Sequence, residues 1–310
     1  MDKWILIANN ASASASAEGA WKKCEAILTE GGLQVEPKLT SHPGHAIELA
    51  KEAAAAGARK FIAVGGDGTV HEVMTGLLRY ADESGANLGD FTFAVIPAGT
   101  GNDWIRTPGI PENLEEAAKC IVKGNTGKED VVRATFPNGV FCMANIGGIG
   151  VDADICHNTN NLKKKGHKGG FLYTMVAPYS ILSRKRRKVE FILDGETVYK
   201  GRFFTATIGN GIYRGGGLTQ TEAGSRWDDG KLEVSILGDV NHVKGMQVMM
   251  HCVSGDLAAQ PEMITRRFRK MEVKPVDGDK PDRVELDGEL PGVLPVTIEL
   301  TGQQINIIVP

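Results

Sequence analysis

A short apolar run that stops at glycines and resumes as a helix constrains this chain most. Phe61 to Val64 reads as a buried parallel strand. Gly65-Gly-Asp-Gly68 breaks it, and a helical pattern follows through Val73, Leu77 and Leu78. Glycine admits positive φ and lets a ligand approach without a Cβ in the way. Thr69 and Glu72 stand at the spacing of a capping box, which predicts Thr69 as the N-cap. A helix N-terminus offers N–H groups and partial positive charge, which suit phosphate. Asp67 sits in the same loop, and a carboxylate repels phosphate unless a cation or a proton lies between. The stretch therefore predicts a nucleotide phosphate with Mg2+ nearby, although an unliganded strand-to-helix turn would use the same residues.

With 310 residues, the chain has room for two domains. Its net charge of −3 gives no global reason to expect nucleic acid. Five scattered cysteines without a C-x-x-C pair fit reduced thiols in a cytoplasmic setting. The opening residues carry no signal-peptide pattern, and no apolar stretch is long enough to span a bilayer. Any contact with lipid is expected from the surface.

Trp4 to Ala8 reads as the first strand and ends at Asn9. A low-complexity Ala/Ser stretch leads to a helix through Trp21, Cys24, Ile27 and Leu28, with Trp21 and, later, Trp227 read as packing. Leu33–Thr40 is the second strand, and an Ala-rich helix runs from Gly44 to Ala56. His42 and His45 between them lack Cys or carboxylate partners and mark a loop. Phe91–Ile96 is a strand that leads into a second glycine loop, Pro97-Ala-Gly-Thr-Gly-Asn-Asp103. A helix from Asn113 to Lys123 follows. This alternation predicts a doubly wound parallel α/β sheet over residues 1–132, with ligands at the carboxyl ends of its strands. From 133 to 310 the pattern is mainly antiparallel β, a sandwich, with Val140–Ile146, a hairpin of Val189–Leu193 and Val198–Ile208 around Asp194-Gly195, and later strands. His242–Leu257 reads as helix. The active site is expected in the cleft between the two domains.

These motifs resemble the diacylglycerol kinase-type lipid kinases, which include sphingosine kinases and bacterial phospholipid kinases. The resemblance is carried by Gly65–Glu72, Pro97–Asp103, Asn145–Asp152, Asn210–Gly217, Asp228–Leu232 and Asp287-Gly-Glu289, in family order along nearly the whole chain. It implies transfer of the ATP γ-phosphate to a lipid hydroxyl, diacylglycerol first among lipids. It implies ATP contacts from Gly65, Gly66, Asp67, Gly68, Thr69, Val70 and His71, with Thr40, Thr100 and Asn102. Asp67, Asp103 and Asp130 match acids grouped around catalytic Mg2+, and Glu289 matches the general base. Asp229, with carbonyls near Arg226 and Lys231, matches a second, structural Mg2+ site; oxygen ligands suit that ion. The chain departs from the family after its first strand. Asn10 stands where proline is usual, and Ala13 and Ala15 where glycines are, which puts phosphate contact by Asn9 and Ser12 in doubt.

Nine Lys or Arg lie between Lys163 and Lys188 around the apolar Phe171–Leu182, and no Asp or Glu occurs from Ile155 to Val189. Basic ends around an apolar middle suit an anionic membrane surface; an ordinary core helix with solvated ends is the alternative. The oligomeric state is open and compatible with a homodimer. Two rival functions stand beside the lipid kinase. NAD kinases share Gly-Gly-Asp-Gly-Thr but lack the second loop in this position, and the altered first loop would also suit a catalytically silent lipid- or nucleotide-binding protein.

Overall fold

The computed structural model describes residues 3–9, 15–165, 171–219, 226–276, 278 and 280–310, with backbone alone at 15–20, 163–164 and 171–174. The chain forms two compact units. One comprises Met1–Val131, Tyr213–Gly217 and Thr301–Pro310, and the other Val132–Ile212 and Leu218–Leu300. The chain thus returns twice to its first unit, where a single cut near residue 132 assigns every later residue to the second.

The first unit alternates strand and helix in the order β1 (Lys3–Ala8), α1 (Ala15–Glu30), β2 (Gln34–Leu39), α2 (His45–Ala55), β3 (Lys60–Gly65), α3 (Asp67–Ser84), β4 (Thr92–Pro97) and α4 (Leu114–Lys123). The strands pair in parallel in the order β2-β1-β3-β4, and the C-terminal strand adds beside β4 through Asn306 and Ile307. This is the expected α/β sheet. Strand periodicity buries both faces. Leu6, Ile62, Val64, Ala94 and Ile96 pack with Leu28 of α1 and Ala118 and Ile121 of α4, and the alternate residues Phe61, Ala63, Phe93 and Val95 are buried on the opposite face. Each of the Leu, Ile, Val and Phe side chains among them contributes roughly 1.5–3 kcal/mol on leaving water. The chain leaves β1 toward β2 on one side and β3 on the other. The switch point of the sheet therefore falls at the carboxyl ends of β1 and β3, where such sheets bind ligands.

Strand β5 (Thr126–Phe136) starts in the first unit and ends in the second. There follow β6 (Gly139–Cys142), β7 (Ile146–Gly150), α5 (Val151–Lys164), α6 (Phe171–Ser183), β8 (Lys188–Leu193), β9 (Glu196–Arg202), β10 (Thr205–Gly209), the two-residue strands β11 (Tyr213–Arg214) and β12 (Leu218–Thr219), β13 (Leu232–Leu237), α7 (His242–Met249), α8 (His251–Ser254), β14 (Met263–Phe268), β15 (Lys270–Pro275), β16 (Arg283–Leu286), β17 (Glu289–Val293) and β18 (Val296–Ile308). In the second unit an antiparallel sheet runs β14-β13-β10-β7-β16-β17, and the first half of β18 pairs with β15, then β8 and β9. Ile208, Val234, Val284 and Leu286 of the first sheet share one core with Phe191, Met271, Val273 and Ile298 of the second, which is the expected sandwich.

Three local expectations are corrected. Val198–Ile208 is not one strand: β9 ends at Arg202, and the fully buried Phe203 and Phe204 carry the chain into the other sheet. Val140–Ile146 is not one strand: β6 ends at Cys142, and Ile146 opens the buried strand β7, which runs on to Gly150. His242–Leu257 is interrupted at Met250 and ends at Ser254. The turn between β8 and β9 is as read: Asp194 and Gly195 have φ of 49° and 91°, the signs of a type I′ hairpin.

Candidate active site

The two glycine loops meet backbone to backbone. A Cβ at Gly99 would lie 2.4 Å from the Cα of Gly66, so only glycine permits this approach. Gly65 ends β3 and Gly66 is the N-cap of α3, in extended conformation and without a side-chain cap. The predicted capping box does not form. Thr69 lies inside the first turn, its N–H donating to Gly66 O. Glu72 reaches across to α2, accepting from Gly44 N at 2.9 Å and Ala46 N at 3.1 Å. A carboxylate with two backbone donors at a neighbouring helix start gains more than one reaching back along its own helix.

Asp67 and Gly68 open α3, in the turn whose N–H groups have no acceptor within the helix. Asp67 Oδ1 accepts from Trp104 N at 2.9 Å, fixing the carboxylate between the loops. Thr69, Val70 and His71 are buried, and the N–H groups of Thr69 and Val70 both donate to Gly66 O. In the second loop Thr100 is exposed, and Asn102, at φ 48°, closes the turn on itself: its Oδ1 accepts from Gly99 N at 3.0 Å and its Nδ2 donates to Gly99 O. A Cβ on Gly101 would stand 3.2 Å from Asp67 Oδ2 and 3.4 Å from Asp103 Oδ2, so the two carboxylates flank that glycine.

Asp103 is tied elsewhere as well. It is buried and accepts from Gly216 N at 3.0 Å and Gly217 N at 2.7 Å. These are glycines of the Asn210–Gly217 motif, more than a hundred residues along the chain. Asp130, also buried, accepts from Gln304 Nε2 at 2.9 Å. Sequence reasoning passed over its neighbour Glu129, which is buried and accepts from Trp104 Nε1 at 3.0 Å. Nothing in the local pattern of β5 marks Glu129 as the partner of a tryptophan 25 residues earlier. Thr40 is buried at the end of β2, its N–H on Ala8 O, and Asn9 donates to Val64 O. Ser12 and Ala13 lie outside the described residues, and Ala15 begins α1. His42 and His45 stack at 4.7 Å, with His45 Nδ1 accepting from Ser41 N.

In the second unit, Asp287 and Gly288 have φ of 53° and 86° and turn β16 into β17, whose first residue is the exposed Glu289. The turn is clamped. Asp287 accepts from Ala144 N, Asn145 N and Ile146 N at 2.9, 2.8 and 3.2 Å, Glu285 accepts from Gly288 N, and the Cys156 thiol donates to Gly288 O.

Mg2+ is usually held by one or two carboxylates together with phosphate oxygens. Asp67, half-buried beside Gly101 at the start of α3, fits that donor set. Asp229 does not. Its Oδ1 accepts from Lys231 N at 3.1 Å and its Oδ2 is taken by the Arg267 guanidinium, so N–H donors face the carboxylate, while Arg226 is forked onto Asp228. Among the described residues no group of three or more His, Cys, Asp or Glu is placed to hold a metal. A structural Mg2+ at Asp229, with carbonyls near Arg226 and Lys231, would have to displace the Arg267 guanidinium from Oδ2.

The basic segment also divides. Arg184 is not a surface charge: it is buried, bidentate to Asp282 at 2.7 and 2.9 Å, and 3.4 Å from Asp154. Burial raises the Asp154 carboxyl above the usual range, with Arg184 opposing. Arg187 joins Asp282 at 3.1 Å, and Arg186 pairs with Asp239 at 2.6 Å. Residues 166–170 of the segment lie outside the described residues.

Residues 3–134 match the model of the diacylglycerol kinase catalytic domain, and residues 146–309 that of the YegS C-terminal NAD kinase beta sandwich-like domain. The "Diacylglycerol kinase" of Bacillus subtilis (strain 168) is 27% identical over 284 residues, 91% of this chain and 88% of that protein. A Pseudomonas aeruginosa (strain UCBPP-PA14) protein named "Probable lipid kinase YegS-like" is 30% identical over 266 residues, 85% of this chain and 81% of its own. The crystal structure of a Bacillus anthracis str. Sterne diacylglycerol kinase superposes with a TM-score of 0.70 at 23% identity, covering 100% of this chain and 97% of that one.

Proposed function

The chain belongs to the diacylglycerol kinase-type lipid kinases, and we propose that it moves the γ-phosphate of ATP to the hydroxyl of diacylglycerol, giving phosphatidic acid, at an anionic membrane surface. The observation that carries the kinase reading is the backbone contact of Gly66 and Gly99, which sets the start of α3 and Asp67 beside the second loop. Main-chain N–H groups of the first turn of α3 receive phosphate oxygens there. Asp67 would hold Mg2+, which when bound neutralises phosphate charge. Phosphoryl transfer depends on such positioning and charge neutralisation more than on covalent help.

A primary alcohol is a poor nucleophile, so Glu289 is assigned as the base. It takes the hydroxyl proton while the alcohol oxygen bonds to the γ-phosphorus and the bond to the bridging oxygen of ADP breaks. The rigid turn at Asp287-Gly288 sets the direction in which Glu289 leaves the sheet.

The test is transfer of labelled phosphate from ATP to diacylglycerol, monoacylglycerol, sphingosine and ceramide in mixed micelles, and separately to NAD. Diacylglycerol is expected to be the best acceptor. Transfer to NAD alone would overturn the reading, and transfer to another lipid would correct the substrate.

A further inference from the structure

We infer that α6 and the α7–α8 pair together form the face by which the protein docks on an anionic bilayer; the inference rests on the lipid reading above. Met175, Tyr179 and Leu182 are 63%, 65% and 62% exposed. They stand at i, i+4 and i+7 on α6 and so share one side of it. Val243 on α7, Met250 at the junction and Val253 on α8 are 68%, 60% and 71% exposed. These six make up most of the large exposed apolar side chains among the described residues, with only Leu39 and Val293 elsewhere. Scattered exposed apolar residues are ordinary, but a cluster on adjoining helices marks a contact surface. The helices adjoin because their inner faces share a core of Ile181, Val248 and Cys252, so their outer faces turn away from it together.

Charge selects the occupant. Two acids next to α7 and α8 are paired with fixed cations, Asp239 with Arg186 at 2.6 Å and Glu262 with Lys244 at 2.5 Å, and Asp256 Oδ1 lies 2.9 Å from His251 Nδ1. Next to α6 the balance is basic, since no acid occurs from Ile155 to Val189 and Lys185 and Lys188 are exposed just past its end. An apolar face with a basic border complements an anionic lipid surface. A second copy would bring the same lysines toward one another, which repulsion opposes.

The test is co-sedimentation of the full chain with phosphatidylglycerol/phosphatidylcholine vesicles in the absence of ATP. One variant carries Met175→Ser, Tyr179→Ser and Leu182→Ser, and another Val243→Ser, Met250→Ser and Val253→Ser. All six side chains are exposed, so thermal unfolding should match the wild type. Each variant should weaken vesicle partition at least about tenfold while phosphorylation of a short-chain, monomerically dispersed diacylglycerol stays unchanged. Lys185→Gln with Lys188→Gln should weaken partition onto anionic vesicles only, and less as salt rises. Wild-type partition in both triple variants, or no partition by the wild type, would overturn the inference. So would a change from oligomer to monomer with partition intact, which would give the face to a second copy. Because partition is read without ATP, a protein that binds vesicles but phosphorylates no lipid would sink the functional reading and leave this one standing.

Discussion

Asp103 in the first unit and Asp287 in the second do the same structural work with different neighbours. Each is buried, and each carboxylate gathers backbone N–H groups from a segment more than a hundred residues away: Gly216 and Gly217 for Asp103, Ala144 to Ile146 for Asp287. Each also stands close to a second, less buried acid, Asp67 across Gly101 in one case and Glu289 two residues on in the other. A buried carboxylate satisfied by main-chain donors fixes a loop in place. An acid left nearer the surface can meet a metal or take a proton. On the function proposed above, acids of one motif divide into anchors and reactants, and residue type alone does not tell which is which.

The largest effect should come from a reactant. Glu289→Gln keeps the size but removes the base, and kcat should fall roughly 10²–10⁴-fold. ATP affinity should stay near normal, and the acidic limb of the pH–rate profile should vanish. A variant that keeps both kcat and that limb makes Glu289 a turn residue and breaks the comparison. Asp67→Asn should cost at least about 10² in kcat with an unchanged melting temperature, as lost electrostatic stabilisation of transferring phosphate does. Unaltered turnover there would remove Asp67 from the reactants.

The anchors should respond in the opposite sense. Asp103→Asn and Asp287→Asn each place an amide against several N–H donors and should lower stability by about 2–3 kcal/mol, read by denaturant unfolding. If Asp103→Asn leaves stability intact and abolishes turnover, Asp103 is a reactant beside Asp67, as the family resemblance had it. Glu72→Gln weakens the bridge from α3 to Gly44 and Ala46 and should cost about 1 kcal/mol, with ATP turnover little changed.

The sequence by itself determined the class of each unit. Strand-length apolar runs alternating with helical patterns require a parallel sheet with helices on both faces, and period-two runs with Asp-Gly turns require antiparallel pairing. Both signals are local, since they depend on which face of an element water is excluded from. It also determined where the glycine loops fall, because a buried strand that stops at glycines puts the turn at its carboxyl end. Only the tertiary structure decided partnership. Glu72 reads as the cap of its own helix, yet it caps α2, and Arg184 reads as one of a basic cluster, yet it is buried on Asp282. Glu129 gives no sign of Trp104, nor do Gly216 and Gly217 of Asp103. Each of these bonds joins residues between 25 and 114 positions apart, and two of them are possible only because the chain returns to its first unit at Tyr213–Gly217. A side chain's spacing fixes what it can offer, but its burial and its partner are set by whatever distant segment the fold lays beside it, and buried charge is tolerated only where such a partner arrives.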